Sequence, residues 1–81
     1  MWRVRINCPF TEQALAFRYY ETVTDLQKDF PVYCTSAFYK LIKRGGDLAK
    51  WGKPFCTLEK TDRVAGKMIR PGIFYEQVND G

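Results

Sequence analysis

Eight residues between positions 36 and 53 have the types and spacing to grip an anion: Ser36, Tyr39, Lys40, Lys43 and Arg44, then Lys50, Trp51 and Lys53. Five of them are cations and only Asp47 opposes them, so this stretch carries +4. Elsewhere eight basic residues face eight acidic ones, and the whole net charge of the 81-residue chain therefore sits in one place. Positive charge gathered in this way attracts a phosphate backbone through counterion release, whereas a scattered surplus would mainly aid solubility.

Other chemistry has little to work with. The chain contains no histidine, so the usual general base, the usual nitrogen ligand of zinc and a Cys-His nucleophile pair are all missing. Cys8, Cys34 and Cys56 are odd in number and widely spaced, unlike a disulfide framework or a metal motif. The expectation is a non-enzymatic protein without cofactor or metal, with reduced, partly buried thiols and a cytoplasmic location. No apolar run exceeds a few residues, Ala14 to Phe17 being typical, so neither a membrane-spanning helix nor a secretory signal is expected.

The elements that must position the basic stretch can be read from patterning. With 46% apolar and 16% aromatic residues the chain can build one core, and its length allows one domain. Residues 1–23 are expected as strands. Trp2, Val4, Ile6 and Cys8 alternate with Arg3, Arg5 and Asn7, the period of a half-buried strand that Pro9 ends. A turn or short helical stretch around Thr11 to Ala16 should lead into a second strand, Phe17 to Val23, with Phe17 and Tyr19 on one face and Arg18 and Tyr20 on the other.

Residues 24–45 are expected as a helix pair. Thr24-Asp25-Leu26-Gln27 has the form of a capping box, Leu26 and Phe30 make a buried stripe, and Pro31 prevents continuation past Phe30. A second helix should start at Thr35-Ser36, bury Ala37, Phe38, Leu41 and Ile42, and stop at Gly45-Gly46. Residues 46–81 then read as a basic loop, a turn at Gly52-Lys53-Pro54, a second strand pair or wing over Phe55 to Lys60, a turn at Pro71-Gly72 and a last strand from Ile73 to Val78, with Asn79 to Gly81 fraying. The fold class is a small α+β domain, a helix-turn-helix-like pair flanked by antiparallel strands.

The run Thr22-Val23-Thr24-Asp25-Leu26-Gln27-Lys28-Asp29-Phe30, followed by Thr35-Ser36-Ala37-Phe38-Tyr39-Lys40-Leu41-Ile42-Lys43-Arg44-Gly45, resembles the winged helix-turn-helix of phage excisionases and of the mercury-resistance-regulator superfamily. The resemblance covers residues 22–60, and its most specific part is Tyr39 to Gly45. A similar short helix pair occurs in modules attached to homing endonucleases. In this chain the connector Pro31-Val32-Tyr33-Cys34 is bulkier than the family's glycine-containing turn, and Gln27 and Lys28 stand where a small residue is expected, which leaves the crossing angle of the helices open.

The resemblance implies a DNA-binding module in which Ser36 to Arg44 enters the major groove. A helix of about nine residues is about 13 Å long and reaches three or four base pairs. Ser36, Tyr39, Lys40, Lys43 and Arg44 would then meet base edges or flanking phosphates, and Lys50, Trp51 and Lys53 would hold the backbone from the loop and wing that residues 47–60 imply. The partner is double-stranded DNA, with a homodimer or protein partner supplying added specificity, in a phage- or virus-type regulator or recombination accessory factor. Two alternatives stay open: a small phage or viral protein that docks its basic, aromatic surface on a host protein, and single-strand binding on a sheet through Phe17, Tyr19 or Tyr20 with Arg3, Arg5 and Arg18.

Overall fold

Alternation of apolar and charged residues makes strand β1, Trp2–Asn7, the centre of the fold. In the computed structural model, which describes residues 1–11, 13–32 and 34–78, β1 pairs antiparallel with β2, Ala14–Tyr20, on one side and with β3, Cys56–Lys60, on the other. Strands β4, Lys67–Arg70, and β5, Ile73–Gln77, extend the sheet beyond β2, giving the order β3-β1-β2-β5-β4, all antiparallel. Two short helices, α1 over Val23–Asp29 and α2 over Ser36–Lys43, and a 3-10 turn, Leu48–Trp51, are inserted between β2 and β3. The α+β class and the antiparallel sheet agree with the sequence reading.

The core lies between one face of the sheet and the helices. Trp2, Val4, Tyr20, Leu58 and Ile73 project from the strands, and Leu26, Phe38, Leu41 and Leu48 meet them from the helices and the 3-10 turn. Burying such side chains stabilises by about 1.5–3 kcal/mol each, the main force holding so short a chain together. The β1 pattern is as expected, with Trp2 and Val4 buried and Arg3 and Arg5 on the opposite, wet face.

Several boundaries differ from expectation for local reasons. The helix cap is Thr22 and not Thr24: the Thr22 hydroxyl accepts from the Asp25 amide at 3.2 Å and donates to the Asp25 carboxylate, a cap that takes Asp at the third helical position. Strand β2 starts at Ala14, where a turn or helix was expected, and ends at Tyr20, because the cap at Thr22 withdraws residues 21–23 from the sheet. Residues 55–60 make no wing of their own. Phe55 takes a left-handed turn conformation with φ of 64°, and Cys56–Lys60 becomes the edge strand beside β1, joined to the basic loop by an isolated bridge between Asp47 and Thr57. Strand β4, its four residues all exposed, carries only the adjacent apolar pair Met68-Ile69, which alternates with nothing and marks no buried face; it exists because the Pro71-Gly72 turn, with Gly72 at φ 79°, folds it back on β5. The expected fraying of Asn79–Gly81 lies outside the described residues. Among those described, no helix is long and apolar enough to cross a membrane.

Each helix leans on a different part of the sheet, α1 on β2 and α2 on β3. Phe30 caps α1, and the segment from Pro31 to Thr35 carries the chain to α2. Gly46 closes the other end of α2. Its amide reaches the Leu41 carbonyl at 2.9 Å, its carbonyl accepts from the Leu58 amide at 2.7 Å, and a side chain at this position would strike the Leu58 carbonyl. The left-handed φ of 76° and this close approach together require glycine.

Candidate nucleic-acid interface

The exposed side of α2 is built by its own periodicity. Phe38 and Leu41 turn inward, which leaves Ser36, Tyr39, Lys40 and Lys43 outward, with Arg44 following as the exposed C-cap. Lys40, Lys43 and Arg44 fall in or just after the last turn, where cations complement the negative end of the helix dipole. Thr35 caps the helix by position but makes no side-chain hydrogen bond, and the Ser36 hydroxyl lies 3.1 Å from the Cys34 sulfur.

The 3-10 turn brings the remaining cations alongside. Asp47 caps it by accepting from the Ala49 amide at 3.0 Å, Leu48 is fully buried as its anchor, and Gly52 at φ 81° ends it. Lys50 and Lys53 are exposed, while Trp51 is half-buried with its ring 5.5 Å from that of Phe38. Trp51 is thus both part of the core and a wall of the surface. Tyr39 is likewise divided: 51% exposed, with its ring edge-on to the buried Trp2 at 5.1 Å.

Of the eight cations elsewhere in the chain, four are held in ion pairs. Arg3 is bound to Glu59, Arg18 and Arg70 to Asp29, and Lys28 to Asp25. Among the described residues, Lys40, Lys43, Arg44, Lys50 and Lys53 make no ion pair, and the one acidic residue among them is occupied with its cap. All eight sequence-selected residues lie on α2 or on the turn and loop just after it.

Sequence reasoning missed Lys60, whose ammonium sits 4.1 Å from the Trp2 ring centre and 5.8 Å from that of Tyr39, adding a cation beside the α2 face. Only the β1–β3 register, which sets Lys60 opposite Trp2, could reveal it. Also missed was a groove of about 730 Å³ between the end of α1 and the α2 and 3-10 segments, walled by Phe30, Pro31, Val32, Ala37 and Trp51, with Lys40 and Lys53 among its lining. Cys34 lines it as well, exposed where a partly buried thiol was expected; the hydrogen bonding of Ser36, with help from Lys40, holds its pKa below the ordinary thiol value.

The far face of the sheet is organised differently. Arg3 lies over the Phe17 ring at 4.7 Å and is bonded to Glu59, while Tyr19 is 4% exposed and donates to Glu76 at 3.0 Å. Tyr20 is wholly buried on the helix side. The aromatic rings that single-strand stacking on the sheet would need are therefore already covered or committed. Among the described residues no cluster of three or more Cys, Asp or Glu could hold a metal ion. Compared with protein-family models, curated proteins and solved structures, the chain matches none.

Proposed function

We propose that this protein binds double-stranded DNA, with α1 and α2 acting as a helix-turn-helix-like pair and α2 entering the major groove. The single observation that carries this reading is the concentration of charge: Lys40, Lys43, Arg44, Lys50 and Lys53 lie exposed and without ion pairs on α2 and the segment just after it, opposed only by Asp47, whereas the other cations are spread over the fold among an equal number of carboxylates. A surface that keeps five cations free of counter-charges within the fold releases counterions when phosphates approach.

The eight residues of α2 span about 12 Å, enough to contact three or four base pairs. Ser36, Tyr39, Lys40 and Lys43 are the candidates for base edges or flanking phosphates, and Arg44, Lys50 and Lys53 for phosphates. The 3-10 turn, and not a hairpin wing, delivers Lys50, Trp51 and Lys53. So small a contact suits a regulator or recombination accessory factor of the phage type that works with a second copy or a protein partner.

Fluorescence anisotropy of labelled duplex DNA across a salt series tests the reading. Binding should weaken with salt and fall in the Lys40→Ala/Lys43→Ala variant, while Arg5→Ala on the far face of the sheet leaves it unchanged. Absence of binding at low salt, or equal binding by the Lys40/Lys43 variant, overturns it and turns the search toward an acidic protein partner.

A further inference from the structure

The groove beside the basic face has apolar walls, Phe30, Val32 and Ala37, that the duplex reading does not use. Its walls are apolar and aromatic, Phe30, Val32, Ala37 and Trp51, and its volume of about 730 Å³ falls among those of small-molecule sites. Lys40 and Lys53 line it without ion-pair partners. Asp29 also borders it, but that carboxylate already accepts from Tyr20, Arg18 and Arg70 and offers an approaching anion little repulsion.

The groove continues at both ends. A cleft of about 270 Å³ shares Asp29, Phe30 and Lys53 with it and adds Arg18, whose Nε is buried without a hydrogen-bond partner. At the other end a cleft of about 220 Å³ shares Ala37, Lys40 and Trp51 and adds Arg44 and Lys50. Aromatic rings therefore line the middle of a track that carries the unpaired Lys53 toward one end and Lys40, Arg44 and Lys50 toward the other. A flat, apolar ring joined to an anionic chain has this distribution, since a base stacks on aromatic side chains while its phosphates follow the charges. The lysines suit phosphate as mobile point charges, whereas recognition of a carboxylate favours the bidentate fork of arginine.

We infer that this groove accepts one unpaired nucleotide of the bound nucleic acid, its base against Phe30, Val32 and Trp51 and its phosphate between Lys40 and Lys53. The inference rests on the nucleic-acid reading above and deepens it: the preferred ligand is a duplex carrying a bulged or unpaired base, held by the basic face and the groove together. Stacking of one base corresponds to at least several-fold in affinity, so a thymidine bulge should tighten binding by about tenfold over the fully paired duplex.

The test compares a labelled duplex, the same duplex with a single thymidine bulge, and an acidic peptide with a central tryptophan, by anisotropy. Two groove variants outside the basic face, Ala37→Leu to fill it and Val32→Asp to repel phosphate, are first checked for native circular dichroism. The expected result is a bulge preference in the wild type that both variants lose; Ala37→Leu, which preserves helix propensity and charge, keeps wild-type duplex affinity and decides the matter, while the charge added by Val32→Asp beside Lys40 and Lys53 also lowers duplex affinity. Equal binding of both duplexes overturns the inference and leaves the duplex reading standing, as does a preference that survives groove filling. No binding to either duplex overturns both, and binding of the peptide alone assigns the groove to a protein partner.

Discussion

The Tyr20 hydroxyl donates a 2.6 Å hydrogen bond to the Asp29 carboxylate, tying the last residue of β2 to the last residue of α1. The same carboxylate accepts from Arg18 at 3.2 Å and from Arg70 at 2.6 Å, so one side chain fastens α1 to β2 and to the outer strand β4. Burial raises the Tyr20 pKa, and the neighbouring Asp29 charge adds to it, so the phenol stays a donor at every ordinary pH. Because Phe30 follows directly, this junction also sets one wall of the groove.

Replacing Tyr20 by Phe should cost about 1.5 kcal/mol, the worth of a hydrogen bond to a charged acceptor. Asp29→Ala should cost more, about 2–3 kcal/mol, because it strands the phenol inside the core; the half-exposed arginines contribute little through screened attraction. The two changes share one bond, so urea unfolding of the double variant should show less than the sum.

Acid should loosen the same junction. Burial by itself pushes the Asp29 carboxyl up, but the hydrogen bonds from Tyr20, Arg70 and Arg18 together hold it below the usual carboxylate range. The resulting stability is complete above the unfolded value, about 3.9, and is lost as pH falls from there through the lowered folded value. Asp25 is lowered too, chiefly by the Thr22 hydroxyl, and acts in the same direction. Midpoints of urea unfolding should decline below about pH 4 in the wild type, and less steeply in Asp29→Asn.

The neighbouring glycines 45 and 46 should respond unequally to alanine. Both have positive φ, 101° and 76°, but a Cβ at Gly45 meets nothing within 4 Å whereas one at Gly46 meets the Leu58 backbone. Gly45→Ala should cost about 1 kcal/mol from backbone strain, and Gly46→Ala clearly more, since β3 itself must move. Thermal melts of the two variants make the comparison.

Thiol reactivity should discriminate Cys34 from Cys56. Cys34 is exposed with a lowered pKa, while burial raises that of the half-buried Cys56. Limited iodoacetamide treatment with peptide mass spectrometry should find Cys34 modified well before Cys56, because the thiolate is the reacting species. Equal rates would mean that the connector shields Cys34.

In the DNA titrations, the Lys40→Ala/Lys43→Ala variant should also change the salt dependence. With four or five phosphates neutralised, the slope of log affinity against log salt should be about −4, and two lost lysines should bring it to about −2. A slope that does not move places those lysines away from phosphate.

What could be read from the chain itself was whatever a few neighbouring residues decide. Trp2 to Asn7 alternates strictly, Phe38 and Leu41 share one helical face, and Gly45-Gly46 offers a left-handed stop; each is a local constraint of backbone geometry, and each is found in the fold. The concentration of charge between Ser36 and Lys53 is likewise a property of the sequence alone. Tertiary structure decided everything that depends on long separations. Arg3 meets Glu59 across 56 positions, and no local pattern ranks that register above its neighbours; the same pairing makes residues 56–60 an edge strand, and it puts Lys60 over Trp2. Strand β4 has no buried residue to announce it and exists through its pairing with β5. The groove belongs to the same class. Phe30 and Trp51 are far apart in the chain and share a wall only because α1 leans on β2 while α2 and the 3-10 turn lean on β3, a division set by core packing across the whole sheet.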